Sequence, residues 1–528
     1  MKRFLLTFFG IVTLTASLPA DTIRSVSPLS ELDLYLRTLS LTNQATSNQQ
    51  HMRGLAQGNW LLSPNHLWQE IVPGDTNGVR VTQFNSFNSS HPHGGNDGAL
   101  WQGRGINSRT IFGWNSFIPL RNEFSLQIHL NPELLFSQNV QYDILPAHPE
   151  LGSEFGNYRR SPDVPQRFGD SPNVELDPGD SEIRLNWRQL TTFVGTSHAW
   201  IGPAERNAII LSNNAPGYLK VGVGILPTPT RIGSFEAYIS SGLISESPYF
   251  DSRTDNDEAI ISLISISLQP NRIPGFTIGI HRSLIGNAGQ ETYAESLLSV
   301  LNPLMMTNLG EDDFDQRASI TGEWTFPAVG FSVYGEWARN DYSPNYRFVM
   351  RAPGHSQAYT IGLTQALTHE TGNITRFTLE LSELVNSFDY LIDLGTGGTF
   401  YSHGIVNQGY AHRGQIIGAA IGSGADSQYL GIDHYLPWGR LGFFFSRHGR
   451  DKDFLYGDPA NFTNVGNPVV RGIERTNVEI AWGISGAYLT KNFQLSTQIA
   501  YLHNMNWNWE ARNDLHGIRA TTEVRLYY

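Results

Sequence analysis

The chain has 528 residues, with 48 acidic against 36 basic side chains and a net charge of −12, a balance that argues against nucleic-acid binding. It contains no cysteine, which excludes both a disulfide framework and a lipid-modified N-terminal cysteine. Hydrophobic residues make up 40% and the mean hydropathy is −0.27, yet aromatic residues reach 12% and glycines number 52, a profile that suits a membrane barrel in which every second strand residue faces lipid.

At the N-terminus, Lys2 and Arg3 precede an apolar stretch from Phe4 to Val12, and small residues follow up to Ala16, Ser17 and Ala20. This three-part pattern predicts a secretory signal over residues 1–20, with cleavage after Ala20. No later segment approaches the ~18 continuous apolar residues that a membrane helix needs. Residues 21–75 read as an N-terminal helical segment on the periplasmic side. Leu29, Leu32, Leu36 and Leu39 recur at helical spacing after Pro28, and Ser63-Pro64 opens a second short helix bearing Leu67, Trp68 and Ile71. Their apolar faces need a partner, either each other or the mouth of the barrel.

From residue 76 to residue 528 the dominant period is two. Phe124, Leu126, Ile128 and Leu130 alternate with polar residues, as do Val221, Val223 and Ile225. Ile264, Ile266 and Leu268 lead through a turn into Phe276, Ile278 and Ile280, and Ile320, Trp324 and Phe326 turn at Pro327–Gly330 into Phe331, Val333 and Trp337. Phe377, Leu379 and Leu381 form a further strand, and Leu441, Phe443 and Phe445 begin another after the turn at Pro437, Trp438 and Gly439. Val478, Ile480, Trp482, Ile484 and Tyr488 face one way, and the alternation resumes after Lys491-Asn492 from Phe493 as far as Trp507 and Trp509, predicting one long strand that projects beyond the bilayer. In the last strand Leu526 and Val524 share a face with the terminal Tyr528, while Arg525 and Glu523 occupy the other. Charges would cost about 2–4 kcal/mol against lipid at the midplane, so the second face must look into the barrel. A terminal aromatic in such a strand resembles the signal read by the barrel-assembly machinery.

Short turns alternate with long polar connections, which fixes the topology as an all-β antiparallel transmembrane barrel with periplasmic turns and outer loops, placed in the bacterial outer membrane. A tag at Asn461 is then expected outside the cell and one at Asn492 inside. Because outward and inward strands must alternate, the stretches 138–217 and 387–425 each hold zero or two strands, and each begins and ends at the outer rim.

The run from His198 through Trp200, Gly202-Pro203, Arg206-Asn207 and Leu211-Ser212-Asn213-Asn214-Ala215-Pro216 to Gly217 resembles the central signature of the Wzi-type capsule-assembly outer-membrane proteins. Further likenesses are Asp163-Val164-Pro165-Gln166-Arg167-Phe168-Gly169, Gly335-Glu336-Trp337 with Asp341, and the stretch from Asn407 through Tyr410, His412 and Arg413 to Gly418. The resemblance spans roughly residues 30 to 528. It implies a barrel of about 18 strands with an N-terminal helical part, acting as a lectin that attaches capsular or extracellular polysaccharide at the cell surface. It brings no catalytic residues.

Trp200, Arg206, Asn213 and Asn214 offer a stacking face, a planar donor fork and amides suited to sugar hydroxyls or uronate carboxylates, and Tyr410 with Arg413 invites the same reading. These six are the candidate polysaccharide-binding residues. The plainer account is that Gly202-Pro203 and the paired asparagines merely fold a loop, and that Tyr410, His412, Arg413, Asp433 and His434 satisfy one another in the lumen. His91 and His93 with Asp97 provide three possible metal ligands in a glycine-rich loop, too weak a set to expect a metal, and no cofactor is expected. Asp251, Asp255, Asp257 and Glu258 read as a solvated acidic loop, able to meet lipopolysaccharide through divalent ions.

No G-x-S-x-G, phosphate-binding or H-E-x-x-H motif occurs, since His369-Glu370 lacks a second histidine, so no enzyme is expected. The expected partners are polysaccharide, outer-membrane lipid with lipopolysaccharide, and the assembly machinery, for a monomeric protein. The competing function is a porin or uptake channel, because a barrel near 18 strands is wide enough for an aqueous lumen. The length of 138–217 and 387–425 favours a plug.

Overall fold

A computed structural model describes residues 26–47, 49–54, 60–63, 66–72, 78–146, 152–157, 161–254, 256–288, 314–340, 346–387, 399–404, 406–456 and 472–527. The signal stretch, Asn461, Asp255 and Tyr528 lie outside these residues.

The alternating runs close into an antiparallel barrel of 18 strands, sealed where Leu515–Tyr527 pairs with Gly78–Asn88 from Arg519↔Asn88 to Tyr527↔Arg80. Two of the strands are interrupted side by side. Phe124–Leu130 and Glu133–Ser137 both lie along Gly105–Pro119 on either side of Pro132, which lacks the N–H to continue the ladder. Opposite them, Asn173–Asp177 and Glu182–Trp187 are split at Gly179, whose φ is +62° and where a β-carbon would stand 2.0 Å from the Asn131 carbonyl oxygen.

The predicted faces hold. Phe443, Trp482, Ile484, Ile499 and Ile518 are exposed on the outer wall, while the intervening Glu479, Ala481, Gln494, Ala500 and Leu502 are buried inside. At the short-turn end, Trp324 and Phe326 lie with ring centroids 5.0 Å apart and Trp438 sits 6.4 Å from Tyr488, an aromatic girdle of the kind that marks a membrane interface. The charges of the last strand pair inside, Arg525 with Glu523 at 3.1 Å.

Strand parity resolves differently in the two long stretches. Residues 138–217 contribute two strands, the split Asn173–Trp187 and Leu190–Gly195. Among the described residues, 387–425 contribute no strand to the barrel, since Ile374–Glu383 pairs directly with Asp426–Leu436.

Three expectations change. The strand starting at Phe493 ends at Met505, because Asn506, Asn508 and Trp509 all take positive φ. Trp507 and Trp509 are therefore buried under the long loops rather than carried on a continuing strand: Trp507 donates its indole N–H to the Asp143 carbonyl at 2.9 Å, and Trp509 packs on Phe454. Residues 66–72 form a turn closed by Val72 N–H to the Trp68 carbonyl, not a second helix. The helix predicted from the leucines spans Glu31–Ser40, capped by the Ser30 hydroxyl, which accepts from Asp33 N–H. Its Tyr35, Leu36 and Leu39 enter one core with Trp68 and with Ile374, Tyr435, Ala487 and Leu489 of the wall. The apolar face thus fills the short-turn mouth of the barrel.

Candidate functional site

Beyond Gly195 the chain leaves the rim and descends into the lumen. Ala199–Ile201 pairs with Met52–Gly54, so the N-terminal segment and the signature stretch meet inside the barrel. Close approach dictates two of its glycines. A β-carbon on Gly202, at φ +91°, would press on Thr321 at 3.1 Å, and one on Gly217 would fall 1.8 Å from the Thr196 carbonyl oxygen.

Two carboxylates of the wall hold the descending backbone. Glu380 accepts the N–H groups of Glu205 at 2.7 Å, Arg206 at 3.1 Å and Asn207 at 2.9 Å, together with the Tyr334 hydroxyl at 2.9 Å. Glu336 accepts the Ile209 N–H at 2.9 Å. Glu205 is itself neutralised by Arg376 and by Arg37 at 3.7 Å. A second layer comes from 399–421: Tyr401 donates to the Ile209 carbonyl at 2.8 Å, Tyr410 to that of Ile210 at 2.7 Å, and Ser212 to that of Gly418 at 2.6 Å. Ile201, Ile209, Ile210, Tyr401 and Ile417 form one apolar core with the wall residues Tyr238, Ile261 and Ile285. A filled lumen follows along this side of the barrel.

The six candidate residues separate into two groups. Trp200 and Tyr410 have no exposed surface. The Trp200 indole N–H donates to the Ala204 carbonyl at 2.9 Å with the Arg53 guanidinium 5.1 Å above the ring, and Tyr410 lies under Arg317 at 4.4 Å. Neither offers a sugar a face to stack on, because both rings are spent on closing the plug. Arg413, at φ 49°, is engaged by Asp177 at 2.6 Å and by Glu175, which ties the plug to the split strand.

Arg206, Asn213 and Asn214 stay together at the surface of the plug. The Arg206 side chain is exposed and its guanidinium lies over the Tyr429 ring at 4.6 Å. Among the described residues no carboxylate pairs with it, whereas Arg184, Arg317, Arg376, Arg440 and Arg447 each have one. Tyr429 lies three residues inside the long-loop end of Asp426–Leu436, so the cation sits near that rim. The loop 89–104 completes the surface. Asn96 donates from its backbone to Asn214 Oδ1 at 3.0 Å and from its amide to the Arg206 carbonyl at 2.9 Å, while Gly98 N–H reaches the Asn213 carbonyl at 2.8 Å. Asn214 also donates to the Ile416 carbonyl at 2.8 Å. Sequence reasoning missed Tyr429, Asn96 and Glu380. The lumen-facing parity of Glu380 and Tyr429 was readable, but their partner lies far away in the chain.

At the long-loop end Asp163 joins three connections, accepting Ser247 N–H at 2.6 Å, Ser247 hydroxyl at 2.7 Å and Gly414 N–H at 3.1 Å. Burial pushes its carboxyl up to about 6 even against these donors. Nearby, Asp97 does not join His91 and His93, since its carboxylate caps Gly95 N–H at 2.7 Å; the carboxylate beside both histidines is Glu479.

The family described as capsule assembly protein Wzi matches residues 121–509. Among solved structures, Wzi of Escherichia coli, described as an outer-membrane protein involved in group 1 capsule assembly and a carbohydrate-binding β-barrel, aligns with a TM-score of 0.61 at 11% identity, covering 96% of this chain and 100% of that one. OccAB2 of Acinetobacter baumannii and OccK7 of Pseudomonas aeruginosa reach TM-scores of 0.44 and 0.43 at 10% and 9% identity, each over 85% of this chain and over 97% and 98% of their own. No curated protein matches by sequence.

Proposed function

This chain belongs to the capsule assembly protein Wzi family, and from that premise we propose that it is a non-enzymatic lectin of the outer membrane that binds capsular or extracellular polysaccharide and holds it at the cell surface. The observation that carries the reading is Arg206, an exposed guanidinium on an aromatic ring that no carboxylate pairs with among the described residues, beside Asn213 and Asn214 at the long-loop rim of a filled lumen. A planar cation of this kind pairs with a uronate or other anionic sugar through two parallel hydrogen bonds. The long-loop end then faces outward, the apolar wall contacts lipid and lipopolysaccharide, the protein acts as a monomer, and the last strand is the part read by the barrel-assembly machinery. The packed core between plug and wall disfavours the channel reading.

Arg206→Ala should weaken binding of an acidic polysaccharide about 10- to 100-fold, as expected for a lost charge-assisted pair of about 1.5–3 kcal/mol. Arg206→Lys should weaken it less than Ala, because the charge remains and only the fork is lost. The check is binding of the purified polysaccharide to detergent-solubilised protein, with heat-modifiable gel mobility establishing that each variant is folded. Equal binding by all three folded proteins would remove Arg206 from the site.

A further inference from the structure

We propose that His91, His93 and Glu479 form a binding site for one zinc ion at the long-loop end of the barrel. His91 Nε2 lies 2.6 Å from Glu479 Oε2 and His93 Nδ1 lies 2.9 Å from Oε1, so each carboxylate oxygen faces one imidazole nitrogen. Ligand atoms from the three residues all fall within 4.8 Å of one another. Zinc bonds of about 2.0–2.2 Å in tetrahedral geometry set their ligands roughly 3.3 Å apart, so an ion replaces the bridging protons after shifts below about 1 Å.

The surroundings match a three-ligand zinc centre. His91 and Glu479 are buried, whereas the His93 side chain keeps 25% of its surface exposed, which leaves the remaining coordination position on the solvent side. Ser90 Oγ sits 2.9 Å from His91 Nδ1 and can hold the tautomer that turns the Nε2 lone pair toward the metal. Arg450 donates to Glu479 Oε2 at 3.0 Å, the outer hydrogen bond common on a ligating carboxylate, and the Trp507 ring covers His91 at 4.9 Å. Two imidazoles and one carboxylate suit zinc better than magnesium or calcium, which take oxygen ligands. The histidines follow the strand Gly78–Asn88 and Glu479 begins the strand Val478–Leu489, with two strands between them in the barrel. A bound ion would staple the loop carrying Asn96 across those strands.

The test uses the full barrel in detergent, stripped with a chelator and titrated with zinc alone, then with cobalt as a spectroscopic probe. One equivalent should bind, and cobalt should give the visible absorption of a tetrahedral centre. His93→Gln, at a partly exposed side chain that folding can spare, should lower the affinity about 100-fold or more, while Asp97→Asn leaves it unchanged. Should His91→Ala misfold, His93→Gln still decides. No stoichiometric zinc on the wild type, or equal affinity in His93→Gln, would reduce the cluster to an ion-pair network and overturn the site.

Discussion

Replacing Glu380 with alanine should release the lumenal segment from the wall and lower the unfolding free energy by about 3–5 kcal/mol. Four donors converge on this one buried carboxylate, the N–H groups of Glu205, Arg206 and Asn207 and the hydroxyl of Tyr334. Each buried donor left without a partner costs about 1–3 kcal/mol, offset in part because a buried charge disappears and water can enter. Glu380→Gln should lie between wild type and alanine, since it keeps one good acceptor oxygen. Denaturant unfolding in detergent micelles measures the loss. Unchanged stability in Glu380→Ala would mean that the segment is held by the apolar core and not by this carboxylate.

A second large effect belongs on the outer wall. Ile484 is 63% exposed near the middle of Val478–Leu489, between its cross-strand neighbours Phe443 and Ile499. Ile484→Arg places a guanidinium against hydrocarbon, and about 2–4 kcal/mol of folding free energy should be lost at that depth. Folding into lipid vesicles, followed by heat-modifiable mobility, reports it. Unchanged folding yield and stability would contradict the assignment of this face to lipid.

The barrel was legible in the sequence because its signal is local: the alternation at Val478, Ile480, Trp482 and Ile484 records which face points out of the barrel, whatever the rest of the chain does. Strand parity went further and limited each long stretch to zero or two strands, although the choice between them depended on which strands finally pair. Trp507 and Trp509 misled the reading because their parity continues the strand. What ends it is the left-handed backbone at Asn506 and Asn508, and the pocket that receives the tryptophans is built from distant residues such as Asp143 and Phe454.

The site was legible only in part, for the same reason. Trp200 and Tyr410 have the chemistry of sugar contacts, yet in this lumen the same rings serve as packing. Arg206 was singled out from its side-chain chemistry alone, whereas its support on Tyr429 and the grip of Glu380 on its backbone join residues far apart in the chain. His91 and His93 were noticed beside the wrong acid, because Asp97 is near in sequence while Glu479 is near in space.

Packing of the lumen by the chain's own residues leaves the outer rim as the place to hold glycan. Planar-bilayer recording from the purified wild-type protein tests this most directly, because an empty barrel of 18 strands would leave a wide aqueous path. Membranes that contain the folded protein should pass no steady, large current; a stable ohmic conductance of porin size would show an open lumen and favour a channel.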